Sequence, residues 1–321
     1  MQRTESPPSV DCSVLVPVYN EKASLSQLLI EIEAAFEEVG RSFEVIVVDD
    51  GSTDGTWKEL AALAADHPAL RAIRLRRNFG KSAALDVGAD HARGAIIITL
   101  DGDLQDDPGE IPRFLEALGD EPRLVAGWKV DRQDPSSKRL PSKVFNAVTS
   151  FVSGVKLHDH NCGFKAGPAE LFQAIPLYGE LHRFIPAMAS DLGYDVVELD
   201  VHHRPRRHGK SKFGFERYAR GFLDLLTVMM ITRYRRRPGH LLGGIGVLLG
   251  LIGAAILSYL AVVWFVSDEA VGTRPLLALG VLACVVSVQL VSFGIIAELI
   301  VNRSEIRDHQ QLAAEEIAGA G

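Results

Sequence analysis

No Asp, Glu, Lys or Arg occurs in residues 241–266 or in residues 275–297 of this chain. A helix needs roughly 20 apolar residues to cross a hydrocarbon core of about 30 Å, and each stretch exceeds that. Both read as transmembrane helices, which excludes an ordinary soluble enzyme. The first span is preceded by a block, residues 204–237, holding 11 Lys or Arg against only Glu216 and Asp224. By the positive-inside rule that block faces the cytoplasm, and it attracts anionic lipid. The loop at 267–274 carries two acids and one Arg and is the better candidate for the outer face. A multi-pass protein of the plasma membrane is expected, with both termini cytoplasmic. The net charge of −7 conceals this polarity along the chain.

Upstream of the block the 321-residue chain is long enough for a sizeable core. Cys12, Cys162 and Cys284 are too far apart for a disulfide framework or a paired-thiolate zinc site, so a reducing compartment is expected. The start, MQRTESPPSV, has no apolar run of the kind a secretory signal needs. Residues 13–18, 43–48, 70–75 and 95–100 are β-branched, strand-like runs. Between them, helical spacing recurs at 25–39, 56–65 and 82–92, and Gly40 is placed to cap the first helix. This βαβαβαβ order predicts an α/β fold with a doubly wound, mostly parallel sheet. Ligands of such sheets bind beyond the carboxyl ends of the strands. After Trp128 the texture turns irregular and basic, with a helical stretch near 144–152. An amphipathic pattern near 215–230 predicts a helix lying in the membrane interface.

Three acidic loops fall at the predicted carboxyl edge: PVYNE at 17–21 after the first strand, DDGS at 49–52 after the second and DGD at 101–103 after the fourth. Asp101 and Asp103 flank Gly102 at the end of an apolar strand, and with Gln105 they offer oxygen donors to a hard divalent cation that would clamp a diphosphate. The simpler account is turn chemistry, which suffices for Asp107 as the cap of the next helix through Pro108. DDGSTDGT at 49–56 reads as an Asx-type turn with Asp54 or Thr56 as a cap, yet two adjacent acids leaving a buried strand also suit hydrogen bonds to a ribose or base. GKSK at 209–212 fails as a phosphate-binding P-loop, because Arg204 stands where Gly is required and no apolar strand leads in. Arg204, Arg206, Arg207, Lys210 and Lys212 remain either anion ligands or a solvated, lipid-facing run. The histidines at 158, 160, 202, 203 and 208 lack the i, i+4 spacing of the common zinc motif. Gly246 and Gly250, four apart in the first span, form a small-residue helix-packing signature that permits self-association.

VPVYNE from Val16, DDGSTDGT from Asp49, RNFGKSAAL from Arg77, LDGDLQDDP from Leu100, NCGFK from Asn161 and HGKSKFG from His208 stand in order ahead of two spans. This combination closely resembles the family-2, GT-A type glycosyltransferases that act on polyprenyl phosphates. Among them it is most similar to the bacterial GtrB type, relatives of dolichol-phosphate mannose synthase. The resemblance implies a tail at 1–11, a cytoplasmic GT-A catalytic domain at 12–210, an interfacial helix and basic linker at 211–239, two spans within 240–301 and a cytoplasmic tail at 302–321. It places Pro17, Tyr19, Glu21 and Asp50 on the nucleotide, with Lys81 and Gly102 also at the donor. Asp101, Asp103 and Gln105 would bind Mg²⁺ or Mn²⁺, and Arg206 and Lys212 would fold over the diphosphate. Lys129, Arg132, Lys138 and Ser142 would meet the lipid phosphate, with Lys where the family commonly has Arg.

The implied reaction is inverting transfer of a hexose from a nucleotide sugar, UDP-glucose or similar, to undecaprenyl phosphate for envelope glycosylation. GDP-mannose is the alternative donor. Partners are then the nucleotide sugar, the polyprenyl phosphate and membrane lipid; no nucleic-acid partner is expected. A processive polysaccharide synthase is disfavoured because none of Trp57, Trp128 and Trp264 follows an Arg. A membrane-anchored nucleotide-sugar binder without turnover is the rival from another class.

Overall fold

The computed structural model of the chain describes residues 10–119, 121–130, 149–150, 154–202, 204, 238–267, 272 and 274–317, with 238 and 301–317 by backbone alone. It forms two compact units, residues 1–228 and 229–321.

The first unit is built on a seven-stranded sheet. In chain order the elements are β1 (Val10–Val18), α1 (Leu25–Val39), β2 (Phe43–Asp49), α2 (Thr56–Asp66), β3 (Leu70–Arg74), α3 (Lys81–His91), β4 (Gly94–Thr99), α4 (Ile111–Leu118), β5 (Arg123–Lys129), β6 (Lys165–Pro168), α5 (Ala169–Ala174), α6 (Ile185–Asp191) and β7 (Asp195–Val201). The strand order is β3-β2-β1-β4-β6-β5-β7. β1 to β4 are mutually parallel, as the alternating pattern predicts, and β6 runs antiparallel between β4 and β5. β5 and β6 are short or poor in β-branched residues, and β6 is only KAGP, so periodicity gave no signal for a reversed strand there.

Strand alternation divides the apolar side chains between two faces. Val14, Val16, Val45, Val47 and Ile98 share one cluster with Leu25, Leu28, Leu29, Ile32 and Phe36 of α1 and with Phe114 of α4. Leu15 and Val48, one position out of phase, meet α3 on the other face, where Gly88 lets the helix approach to within van der Waals contact. The sheet is therefore covered on both sides, the condition for parallel strands. α1 ends where expected: Gly40 takes φ +69° and its N–H returns to the Phe36 carbonyl at 2.9 Å.

The second unit is a pair of helices, α7 (Pro238–Ser267) and α8 (Pro275–Ile317). Gly239–Val266 and Pro275–Ile300 are long and apolar enough to cross a membrane, each with mean hydropathy 2.4. Their outward surface is mostly apolar, up to 79% exposure at Phe265 and Val266, as a lipid-facing surface would be. α8 continues as helix past the apolar stretch to Ile317. Gly246 and Gly250, read from sequence as a small-residue helix-packing signature, pack against α8. A Cβ at Gly246 would lie 3.0 Å from the Ser287 carbonyl oxygen, and one at Gly250 would lie 2.6 Å from Ser287 Oγ. That small-residue face is spent on α8. The expected interfacial helix near 215–230 and most of the helical stretch at 144–152 lie outside the described residues, and the last two positions of the expected 211–239 segment already belong to α7.

Candidate active site

The carboxyl edge of β1, β2 and β4 carries the acidic loops, and the loops are stitched to one another. Asn20 sits at φ +59°, a backbone region that Asn tolerates better than most residues. Its N–H donates to Ser52 Oγ at 2.8 Å, and its side-chain oxygen accepts from Thr53 N–H at 2.8 Å. Glu21 N–H donates to Thr56 Oγ1 at 3.2 Å. Pro17 lies within β1 opposite Val48, and Tyr19 is exposed just beyond the strand. Asp54 accepts the Thr56 N–H at 2.9 Å, the Asx turn that the sequence permits.

Asp50 has a different task. Its two carboxylate oxygens accept the Phe79 and Gly80 N–H groups at 2.7 and 2.9 Å, which fixes the chain entering α3. Burial pushes its pKa up, and the two N–H groups oppose that shift. Gly51, at φ +72°, leaves no room for a Cβ, which would fall 2.5 Å from the Arg77 carbonyl carbon. The turn after β2 and the RNFG segment are thus one packed body. α3 starts with Lys81, and the Lys81 ammonium is ion-paired with Asp101.

Asp101, Gly102, Asp103 and Gln105 follow β4 directly. Gly102 passes so close to Val18 that a Cβ would lie 2.6 Å from its Cγ1. Leu104, buried, holds φ +59°, a conformation that costs a bulky residue energy and persists only where its surroundings impose it. Asp103 Oδ1 accepts the Gln105 N–H at 3.2 Å, and Asp106 Oδ2 accepts the Asp101 N–H at 3.3 Å. Beneath them Lys129 Nζ lies 2.8 Å from Asp106 Oδ1. On the far side, Gly163 of the NCGFK motif backs the Asp101 carboxylate: a Cβ there would sit 2.5 Å from Oδ1 and 2.7 Å from Oδ2. The Gly163 carbonyl is itself held by Thr99 Oγ1 at 2.6 Å.

Lysines and carboxylates at this edge shift one another's ionisation. Burial opposes ionisation of Asp101, but Lys81 and Lys129 outweigh it and hold its pKa well below the usual carboxylate range. Burial also opposes the charge on Lys129, and Asp106 overcomes it, so that this ammonium stays protonated. Lys165, 3% exposed and donating to the Cys162 carbonyl, has its pKa pushed down to about 8 by burial, with Lys81 adding repulsion. His182, 2.9 Å from Ser82 Oγ through Nδ1, is driven well below its ordinary value by burial and then by Lys81. His160 falls to about 4 through burial and Lys165.

The structure brings together Pro17, Tyr19, Glu21, Asp50, Lys81, Asp101, Gly102, Asp103, Gln105 and Lys129 at one sheet edge. Lys129, expected at a lipid phosphate, is here buried against Asp106. Arg132, Lys138, Ser142, Arg206 and Lys212 lie outside the described residues. Lys165 and His182 escape a reading by motif: Lys165 looks like the start of an unremarkable strand, and nothing in the sequence pairs His182 with Ser82, 100 positions away. Arg204, one of the basic run, is an internal tie. Its guanidinium bridges Glu31 at 2.6 Å and Asp107 at 2.7 Å, and its N–H donates to the Gln105 carbonyl at 2.9 Å. His158 stacks on Trp128 with ring centroids 4.2 Å apart and meets Glu198 at 2.7 Å.

A divalent cation fits the donor set. Asp101, Asp103 and Gln105 offer only hard oxygen donors, and Asp101 already accepts a cation in the form of Lys81. Among the described residues no three His, Cys, Asp or Glu converge on one point, so a cation here would need oxygens from a bound ligand to complete its shell.

Residues 13–176 match the family model described as Glycosyl transferase family 2. The dodecaprenyl-phosphate galacturonate synthase of Rhizobium johnstonii is 41% identical over 305 residues, 94% of this chain and 90% of that protein. The undecaprenyl-phosphate 4-deoxy-4-formamido-L-arabinose transferase of Pseudomonas aeruginosa is 36% identical over 310 residues, 96% of this chain and 90% of the relative. Among solved structures, glucosyl-3-phosphoglycerate synthase from Mycobacterium tuberculosis, in complex with Mn²⁺, UDP and phosphoglyceric acid, superposes with a TM-score of 0.54. That match covers 70% of this chain and 78% of the other at 19% identity, which speaks for the shared fold alone.

Proposed function

The chain belongs to glycosyl transferase family 2, and from that premise we propose that it moves a sugar from a nucleoside-diphosphate donor to a membrane-borne polyprenyl phosphate. The observation that carries this reading is one sheet edge where Asp101 and Asp103 stand among Lys81, Lys129 and Lys165, in a chain that also holds two helices able to span a bilayer. The named activities of the two relatives support it.

A phosphomonoester has its second pKa near 6, so at neutral pH the lipid phosphate is already an anionic nucleophile and needs no general base. The barrier lies in bringing two anions together and in the charge that grows on the departing nucleoside diphosphate. Tyr19 and Glu21 flank the nucleotide, while Asp50 sets the loop that delivers Lys81. Asp101, Asp103 and Gln105 hold Mg²⁺ or Mn²⁺, which when bound supplies Lewis-acid charge to the diphosphate. Arg206 and Lys212 add charge on the donor side. Arg132, Lys138 and Ser142 receive the acceptor phosphate at the cytoplasmic surface. Direct attack on the anomeric carbon through an oxocarbenium-like state inverts an α-linked donor to a β-linked product.

The test is incubation of the full chain, purified in detergent, with undecaprenyl phosphate and a panel of UDP- and GDP-linked sugars. The panel includes glucose, mannose, galacturonate and the formamido-arabinose of the relatives. A lipid-linked sugar of inverted configuration, seen by mass spectrometry and NMR, is the expected product. Binding of a donor with no lipid-linked product across the panel would make the protein a membrane-anchored binder, and a retained configuration would end the single-displacement scheme.

A further inference from the structure

We propose that the Lys81 ammonium is a resident stand-in for the divalent cation at Asp101, and that it leaves for the donor diphosphate when cation and nucleotide bind together. The inference rests on the metal-assisted transferase reading above. It begins from a conflict of charge. Lys81 is ion-paired with Asp101, one of the two carboxylates that a divalent cation would use. That carboxylate cannot retreat, because Gly163 closes its far side so tightly that a Cβ would fall within 2.7 Å of both oxygens. A divalent cation arriving at Asp101 therefore meets a positive charge on the oxygen it needs, in a pocket where Lys129 lies close by as well.

Lys81 is built to yield. Its backbone is fixed: Asp50 holds the N–H groups of Phe79 and Gly80, and Ser82 is bonded to His182. Its side chain remains 28% exposed, and a four-carbon stem lets the ammonium sweep an arc while α3 stays in place. The displaced ammonium needs a new partner, and a diphosphate provides one. Lys81 thus couples the two ligands: each helps the other by relieving the same ion pair, and the coupling is reciprocal. Alone, the cation has two carboxylates, one amide oxygen and an ammonium in the way; with a diphosphate it gains oxygens and loses the obstacle.

Mn²⁺ binding to the full chain in detergent, measured by the EPR signal of free Mn²⁺ with and without UDP, tests this without any turnover. In the wild type, UDP should tighten Mn²⁺ binding by roughly tenfold or more. Lys81→Met, which keeps the aliphatic stem, should bind Mn²⁺ alone roughly tenfold more tightly than wild type and show a smaller gain from UDP. Lys81→Arg, charged, should behave as wild type toward Mn²⁺ alone. Mn²⁺ affinity in Lys81→Met that is unchanged or weaker, with an unaltered circular dichroism spectrum, overturns the inference. Should Lys81→Met misfold, Lys81→Gln puts the same question to a polar side chain. Asp101→Asn separates the two levels: if it binds Mn²⁺ with UDP as well as wild type does, the metal assignment itself is wrong, whatever Lys81 does.

Discussion

The two ends of the same sheet treat a buried acid in opposite ways. At the amino end Glu44 is closed off: it accepts Ser13 Oγ at 2.7 Å, the Arg93 N–H at 2.7 Å and Arg71 NH1 at 2.8 Å. At the carboxyl end Asp101 sits among the part-exposed Lys81 and the buried Lys129 and Lys165. On the segment that leads into β6 beside it, His160 Nδ1 and Asn161 Oδ1 are buried with no hydrogen-bond partner among the described residues. A polar cluster that is fully satisfied rigidifies a fold; one left with spare charge and open valences invites a ligand to complete it. The difference lies in what surrounds the acids, since both ends offer carboxylates on buried strands.

That contrast is sharpest in activity. Asp103→Ala, at the ligand end, should lower formation of lipid-linked sugar by about a thousandfold or more while leaving the unfolding midpoint nearly unchanged. Near-normal turnover in this variant would erase the distinction between the ends. Glu44→Ala, at the structural end, should do the reverse. It takes the acceptor from Ser13 Oγ and the Arg93 N–H and leaves Arg71 only the His91 carbonyl, costs about 3 kcal/mol of stability by denaturant titration, and leaves kcat of the folded fraction as it was. A loss of kcat with stability intact would show that the amino end also serves the reaction.

The smallest effect concerns His160. Its pKa falls from 6.5 unfolded to about 4 folded, because burial first and Lys165 second disfavour the imidazolium. Between those values the unfolded chain binds a proton that the native protein does not, so stability is complete above pH 6.5 and declines as pH falls toward 4. His160→Gln removes that proton. The stability difference between wild type and variant should therefore shrink by about 2 kcal/mol from pH 7 to pH 5. A pH-independent difference would mean that His160 takes its proton as easily in the fold as out of it.

Much of the ligand end was legible because its chemistry is local. LDGDLQDDP puts two carboxylates one residue apart behind an apolar strand, and no partner from elsewhere is needed to see that they leave the sheet together. Asp107 was likewise readable as a cap: it accepts the Gly109 N–H at 2.9 Å with Pro108 opening the short helix. Arg204 was not. Its basic neighbours made it look like one charge in a run, whereas Glu31 lies 173 positions away in the chain. Gly246 and Gly250 were legible as a packing face, but whether that face met a second copy or the next helix was not.

The sequence by itself determined the parts that depend on spacing: two helices long and apolar enough to span a bilayer, because length and the absence of charge suffice for that; a wound α/β sheet, because periodicity reports which face is buried; and the acidic loops at its carboxyl edge, because each follows its own strand. Only the tertiary structure decided which groups face one another across that edge. It turned Asp50 toward the RNFG segment, set Lys81 on Asp101, buried Lys129 against Asp106 and put Lys165 on a reversed strand beside them. Ion pairs and pKa shifts arise from distances of a few ångströms between residues far apart in the chain, and no pattern along one dimension encodes such a distance.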